Sequence, residues 1–246
     1  MQGASRPDIQ RHDAWLSRVC GFPCFSMSAP AIGEDLATFA PAQGKAFFFA
    51  KVPVADVATL NAYARHGLRV VDVNLVLERT GADGLPGNDD ADSVHPASAS
   101  EATAAGDIAG RCFRQSRFHL DPDFPPELAD AIKREWVGSY ARGERGSELL
   151  VASGPQGTVG FLAVLEQPDV AWIDLVGVAP ERQGQGVGRA LVREFVRRWA
   201  PRKGRLRVGT QAANTGSLRM YESCGFRMAQ ASYVMHAHAR DGRLLK

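Results

Sequence analysis

The pattern of apolar and polar residues divides the chain into short strands and amphipathic helices. Apolar and alternating runs predict strands over 24–27, 45–52, 69–77, 148–152, 159–165, 171–178, 206–211 and 228–237. Helical spacing predicts helices over 54–65, 102–113, 126–140, 187–199 and 215–223. Between the strand at 69–77 and the helix at 102–113, residues 81–91 carry small and polar side chains that bury little surface. This composition predicts a linker or exposed loop.

Two segments of the chain echo each other without gaps. Residues 60–69 and 218–227 share a leucine, a tyrosine (Tyr63 and Tyr221), a glycine and an arginine at matching positions. Each segment predicts a helix that ends at a C-terminal glycine and leads into a strand. An internal repeat explains the match, but so does the likeness of any helix, glycine and strand succession. A true repeat would make the N-terminal part a degenerate copy of the C-terminal half of the domain that follows it, without a copy of the glycine-rich segment at residues 181–189.

Composition narrows the classes of function. The chain has 246 residues, 45% hydrophobic and 23% charged, with a net charge of +2, which argues against binding nucleic acid by bulk electrostatics. Its cysteines, Cys20, Cys24, Cys112 and Cys224, show neither zinc-site nor disulfide-framework spacing, and we predict no metal. The first residues lack the apolar core of a secretory signal and no apolar run reaches ~20 residues, so we expect a cytoplasmic protein without a membrane span.

A glycine-rich segment at residues 181–189 carries most of the functional information. It follows an apolar strand that breaks at Ala179-Pro180, contains Gly184, Gly186 and Gly188, and enters an amphipathic helix. The first N–H groups of a helix lack partners and lie at the positive end of its dipole, so they bind anions. Glycines let this backbone approach a ligand closely. The spacing is neither the dinucleotide pattern G-x-G-x-x-G nor a P-loop, which needs Lys-Ser/Thr.

Gln183, Gly186 and Gly188 resemble motif A of the GCN5-related N-acetyltransferase (GNAT) superfamily. A second group of residues matches its motif B at the expected distance: Asn214, Leu218, Tyr221 and Gly225-Phe226. The resemblance covers residues 92–237. It implies an α+β GNAT fold with a splayed mixed sheet, preceded by a smaller N-terminal α/β domain resembling a partial GNAT unit. We therefore predict an N-terminal domain over 1–80, the linker over 81–91 and a catalytic domain over 92–246.

The resemblance implies acetyl-coenzyme A as cosubstrate, bound where the strand ending at Val178 splays from the strand at 206–211. The residues expected to bind it are Val176, Val178, Gln183, Gly184, Gln185, Gly186, Val187, Gly188, Arg189, Asn214, Ser217 and Tyr221. Among them, Arg189 can reach the coenzyme phosphates as a charged donor. Asn214 either binds the pantetheine or strand gap or caps the following helix.

The same resemblance implies acetyl transfer to an amine. Tyr221 matches the general acid that protonates the departing sulfur, while its alternative role is an aromatic that fills the interface of helix and sheet. Asp174, a carboxylate inside an apolar strand, is the candidate general base, although a structural ion pair, an edge position or a strand start explains it at least as well. Glu166 is a second candidate base, beside a predicted turn, and water can replace a side-chain base.

Residues 113–118 and 206–221 resemble the TDP-fucosamine acetyltransferases, which acetylate the 4-amino group of a nucleotide-linked sugar. This implies acceptor binding by Arg114, Arg117, Phe118 and His119, whose alternative is an ordinary surface turn. The longer linker and the C-terminal residues 240–246 depart from that pattern and put the substrate in doubt. A protein N-terminal or lysine acetyltransferase and a noncatalytic acetyl-coenzyme A module are the alternatives, and a homodimer stays open.

Overall fold

The computed structural model describes residues 10–27, 41–81 and 93–245. Its strands are β1 (Gln10–His12), β2 (Cys24–Met27), β3 (Lys45–Pro53), β4 (Arg69–Arg79), β5 (Ser93–Pro96), β6 (Glu148–Gly154), β7 (Gly157–Glu166), β8 (Val170–Val178), β9 (Arg205–Gln211), β10 (Arg227–Arg240) and β11 (Arg243–Leu244). Its helices are α1 (Ala14–Cys20), α2 (Val57–Arg65), α3 (Ala99–Cys112), α4 (Pro126–Ala141), α5 (Val187–Trp199) and α6 (Thr215–Ser223). None of these helices is long and apolar enough to cross a membrane.

The α+β class with a mixed sheet is confirmed, and most predicted elements form within a few residues of their expected bounds. Helix α2 begins at Val57 rather than at 54, because the Asp56 side chain caps it by accepting from the Thr59 N–H at 3.0 Å. Strands β1, β5 and β11 and helix α1 were not predicted. Each has seven residues or fewer, which is too short to display a period.

The chain forms two compact units whose bounds differ from the predicted domains. One unit comprises Met1–Asn74, Leu120–Phe124 and Ala231–Lys246, and the other comprises Leu75–His119 and Pro125–Gln230. The C-terminal part of β10 belongs with the first unit because it pairs antiparallel with β3, from Ser232↔Pro53 to Arg240↔Lys45. Residues 82–92, which contain nearly all of the predicted linker, lie outside the described residues.

In the first unit, β2 pairs antiparallel with β1 and parallel with β3, while β10 pairs antiparallel with β3 and β11. Helix α2 packs on this sheet through Tyr63, which is buried with Phe48, Leu68 and Met235. Burial of such apolar side chains supplies the main stabilisation of the unit.

In the second unit, β5, β6, β7 and β8 form an antiparallel sheet that continues into a parallel pair between β8 and β9. Strand β7 is buried on both faces. Leu162 lies in the core with α5 and α6, and its neighbour Phe161 lies in the core with α3 and α4. Side chains alternate across a strand, so this sheet is the middle of three layers.

Candidate active site

The second unit contains a V-shaped opening between β8 and β9. Their parallel pairing runs only from Val170↔Arg205 to Ile173↔Val208, although both strands continue beyond it. At the same point the β7–β8 register shifts, since Ala163 pairs with Leu175 and Val164 with Ile173, so Asp174 is the extra residue of a β-bulge. The bulge bends β8 where the V opens, and within the described ranges the β9-facing edge beyond Ile173 has no ladder partner. The predicted splay is thus present.

The glycine-rich segment connects β8 to α5. After a 3-10 turn at Pro180–Arg182, Gly184 and Gly186 adopt φ of 77° and 91°, values that favour glycine. Helix α5 follows with Gly186 at its N-cap and no side-chain cap. The first backbone hydrogen bond of the helix runs from the Ala190 N–H to the Gly186 carbonyl at 3.0 Å. The N–H groups of Val187, Gly188 and Arg189 precede it and are available to an anion.

Gly188 lets α5 approach its neighbours closely. A Cβ at this position would lie 3.0 Å from Met220 Sδ on α6 and 3.6 Å from Val178 Cγ2 on β8. Val187 at the start of the helix packs similarly close to β7, since a Cβ on Gly160 would be 3.0 Å from Val187 Cγ1. The start of α5 is therefore fixed against β7, β8 and α6.

The two glutamines of the segment brace its backbone. Gln183 Nε2 donates to the Val178 carbonyl at 3.1 Å, and Gln185 accepts from Arg182 Nε at 2.8 Å and donates to the Glu181 carbonyl at 3.1 Å. These contacts hold the loop in shape and leave ligand contact to its backbone N–H groups. Arg189 is exposed and its guanidinium lies 3.8 Å from where a Gly186 Cβ would be, beside the open helix end.

Asn214 directly precedes α6, and Tyr221 lies in the last turn of that helix. Asn214 Oδ1 accepts from the Ser217 N–H at 3.2 Å and is the N-cap, which is one of its two predicted roles. Tyr221 is 2% exposed and packs in the same core cluster as Val176 and Val178. No hydrogen bond joins its hydroxyl to another described residue, and burial raises the pKa of the phenol. The hydroxyl therefore stays protonated at neutral pH.

Family comparison agrees with this geometry. Residues 107–226 match the model of the acetyltransferase (GNAT) family. This segment is a GNAT acetyltransferase domain. It contains the V between β8 and β9, the glycine-rich segment and Tyr221.

Two curated proteins are similar to this chain in sequence, and one solved structure is similar to it in fold. Over 142 residues the chain is 28% identical to the spore coat polysaccharide biosynthesis protein SpsD of Bacillus subtilis, covering 57% of this chain and 49% of SpsD. Over 192 residues it is 26% identical to dTDP-fucosamine acetyltransferase of Escherichia coli, covering 76% of this chain and 80% of that protein. The chain thus spans about half the length of SpsD. A GCN5-related N-acetyltransferase from Sphaerobacter thermophilus superposes with a TM-score of 0.62 at 18% identity, covering 94% of this chain and 76% of that one, which supports the fold.

Asp174 of the GNAT domain is held by four donors. Its Oδ2 accepts from Arg145 Nε at 2.7 Å, Trp136 Nε1 at 2.7 Å and Tyr140 Oη at 2.8 Å, and its Oδ1 accepts from Arg145 at 2.9 Å. Burial would raise its pKa, but the hydrogen bonds and charge of Arg145 and the bonds from Trp136 and Tyr140 outweigh burial and lower it. The structural ion pair foreseen as the alternative is therefore present. Its partners lie 29 to 38 residues away in sequence and had no sequence signal.

Glu166, the second candidate base, lies at the end of β7. Its carboxylate pairs with Lys203 Nζ at 2.7 Å, and its side chain is 43% exposed. It is solvated, as the neighbouring turn predicted.

The segment 114–119 is largely built into the GNAT domain. Phe118 is buried, and His119 is bonded on both ring nitrogens, by Ser116 Oγ at 2.6 Å and Asp130 Oδ1 at 3.0 Å. Arg114 is exposed, 3.9 Å from Asp130, and the Arg117 guanidinium lies 4.5 Å from the centroid of the Phe118 ring. Phe118 and His119 thus fix the segment, and the arginines are the members that can meet a ligand.

In the described ranges, the group with metal-ligand chemistry is Asp121, His236 and His238 of the first unit. All three are buried, and Asp121 Oδ2 lies 2.6 Å from His236 Nδ1 and 2.8 Å from His238 Nε2. Tetrahedral zinc ligands at about 2.0–2.2 Å would stand more than 3 Å apart. These shorter separations are those of proton-bridged pairs, and the group fits a hydrogen-bonded clamp better than a metal centre.

Proposed function

We propose that this protein is an acetyl-coenzyme A-dependent N-acetyltransferase that acetylates a primary amine of a small molecule, and that its acceptor is a nucleotide-linked 4-amino sugar. The observation that carries the proposal is the combination of an open β8 edge and an uncapped, glycine-led helix beside a buried tyrosine in one GNAT domain. The sugar acceptor is supported by the names of the two relatives, one a polysaccharide biosynthesis protein and the other a dTDP-fucosamine acetyltransferase.

Acetyl-coenzyme A would supply the activated acetyl thioester, and the residues present fit it. The open edge of β8 offers backbone groups at Val176 and Val178 to pantetheine amides, with the Val178 carbonyl already accepting from Gln183 Nε2. The N–H groups of Val187, Gly188 and Arg189, with the Arg189 guanidinium, suit the pyrophosphate. Gln183 and Gln185 keep that loop in place, and Asn214 with Ser217 fixes the start of α6.

Tyr221 is proposed as the general acid. The amine attacks the thioester carbon, the carbon–sulfur bond breaks, and the phenol hands its proton to the departing thiolate. A raised pKa keeps that proton in place until the sulfur accepts it. Burial next to Val176 and Val178 excludes water from the hydroxyl.

Asp174 is proposed as a positioning residue instead of the base. A carboxylate with a lowered pKa and four donors is a weak proton acceptor. It joins β8 at its bulge to α4 and to Arg145, which sets the width of the V. The amine proton then leaves through water, as in the alternative that needs no side-chain base.

The direct test is thiol release from acetyl-coenzyme A against a panel of nucleotide-linked 4-amino sugars, free amino sugars, polyamines and N-terminal peptides. Release with amino-sugar nucleotides alone supports the proposal. Release with peptides would favour a protein acetyltransferase, and tight coenzyme A binding without release from any amine would indicate a noncatalytic module.

A further inference from the structure

A buried lysine of the GNAT domain lies in an aromatic cage that the mechanism above does not use. Lys133, on α4, is 7% exposed. Its Nζ lies 5.0 Å from the ring centroid of Phe113, 5.0 Å from that of Trp136 and 5.9 Å from that of Phe118. The rings attract the ammonium through their π faces, but they offer no lone pair to its three N–H donors.

Among the residues that the structure describes, none is a direct counterion of Lys133. Across the described ranges its ammonium makes neither a hydrogen bond nor an ion pair, and the nearby carboxylate of Asp174 is already held by Arg145, Trp136 and Tyr140. A second cation, Arg117, lies over the Phe118 ring that also borders Lys133. Two cations at one ring repel each other, and burying a charge without a partner is costly.

The cage lies beside β8, on the face of the sheet that α3 and α4 cover. Phe113 and Phe118 enclose the segment that contains Arg114 and Arg117, and the residue before it, Cys112, reaches β8, where its Sγ would be 2.7 Å from a Cβ on Gly177. The cations therefore stand beside the strand that borders the V. A ligand held there could present an amine to the V from the α3–α4 face.

We propose that Lys133 and Arg117 form a subsite for a phosphate of the acceptor. A phosphate supplies the oxygen acceptors that the ammonium lacks, and its two charges match the two cations. The inference rests on the proposed function and names the part of a sugar nucleotide that this face recognises.

The lysine remains charged at neutral pH. Burial, and then repulsion by Arg117, lowers its pKa to about 8, while Asp174 and Cys112 raise it. Phosphate binding should accordingly weaken as the pH rises above 8, when the ammonium loses its proton.

The test measures binding of dTDP by calorimetry with coenzyme A present at saturation, so that the glycine-rich segment is already occupied. We expect Lys133→Met to weaken dTDP binding at least tenfold and Lys133→Arg to restore most of it. Arg134→Met is the matched control, because Arg134 is the next residue of α4 but faces outward and pairs with Asp107 at 3.6 Å. The Arg134→Met variant should bind dTDP with the affinity of the wild type.

Two results would overturn the subsite: equal dTDP affinity in wild type and Lys133→Met, or no dTDP binding by the wild type at all. Wild-type binding that does not change between pH 7 and pH 9.5 would also count against it, and this measurement needs no variant to fold. Thiol release is scored separately. Lysine-dependent dTDP binding without turnover of any amine would refute the proposed function and leave the subsite standing.

In the enzyme assay, Lys133→Met should raise KM for the nucleotide-linked amino sugar at least tenfold, with kcat and the KM for acetyl-coenzyme A little changed. The same amino sugar without its nucleotide should show no change in KM. Equal losses for both acceptors would mean that Lys133 has a structural role only.

Discussion

Helices α2 and α6 have the same local structure but different surroundings. Asp56 and Asn214 cap them with φ, ψ of −91°, 67° and −84°, 66°, and each side chain accepts from the N–H three residues on. Beyond the helices, the N–H groups of Leu68 and Phe226 donate to the carbonyls of the matching tyrosines, each at 3.0 Å.

The two tyrosines are alike as well. Tyr63 is 3% exposed and Tyr221 2%, and burial raises the pKa of both, that of Tyr63 to about 12. What differs is the rest of each unit. The second unit adds the V between β8 and β9 and the uncapped start of α5, whereas α1 and α2, the described helices of the first unit, are both capped by aspartates. The chemical role proposed for Tyr221 thus rests on its neighbours and not on its own helix.

The largest expected effect separates the two tyrosines. Tyr221→Phe should lower kcat by about 10²–10⁴-fold, the usual contribution of a general acid, with coenzyme A affinity unchanged. Tyr63→Phe should leave kcat unaltered. Steady-state kinetics with calorimetry on both variants decides this, and equal kcat values for the two would remove the catalytic role from Tyr221.

Buried charges offer a second contrast between the units. In the first unit, Asp121 is bonded to His236 and His238; burial would raise its pKa, but those bonds outweigh burial and lower it. Asp121→Ala removes the carboxylate that two buried imidazoles share, so we expect a loss of about 3–5 kcal/mol in the free energy of unfolding. Denaturant titration at pH 7 provides the number. A loss below about 1 kcal/mol would mean that the clamp adds no net stability.

Lys133→Met should raise the free energy of unfolding, whereas Asp121→Ala lowers it. The folded pKa lies below the unfolded one, so the charged form destabilises the fold below pH 8, and this cost disappears as the pH rises from about 8 to the ordinary lysine pKa of 10.5. We expect the variant to gain about 3 kcal/mol at pH 7, since each pKa unit corresponds to about 1.36 kcal/mol. The gain should vanish above pH 10.5. Thermal unfolding at both pH values measures it, and a destabilised variant at pH 7 would show that the ammonium is already well compensated.

The helix caps give the smallest effect and sharpen the comparison. Asn214→Ala should cost about 1 kcal/mol at any pH, because an amide does not titrate. The pKa of Asp56 is lowered by its bond from the Thr59 N–H, so its contribution is present above the unfolded pKa and is lost as the pH falls through the folded one. Asp56→Ala should therefore lower the unfolding midpoint at pH 7, and this effect should shrink as the pH falls below the ordinary carboxyl pKa of 3.8. A pH-independent effect of Asp56→Ala would contradict the capping role.

Sequence patterns predicted the elements and the backbone part of the site. The glycine-rich segment and the residues from Asn214 to Phe226 were found because their chemistry depends on local spacing. The division of the chain into its two units was not predicted, because the pairing of β10 with β3 joins distant parts of the chain. The donors around Asp174 come from α4 and from Arg145 after it, and only the folded structure brings them to β8. The cage around Lys133 likewise combines Trp136 of α4 with the rings of Phe113 and Phe118.

Strand β10 has a consequence for the order in which the chain folds. Strand β3 pairs with β2 early in the sequence, but its other edge is completed by Ser232–Arg240, near the end. Closing so long a loop is slow, because its entropy must be lost before the pairing stabilises anything. During synthesis, the second unit has its strands β5 to β9 before the first unit has its last strands. The unit that starts first along the chain is thus the one that finishes last, and a ribosome-bound chain stalled before residue 231 would expose the edge of β3.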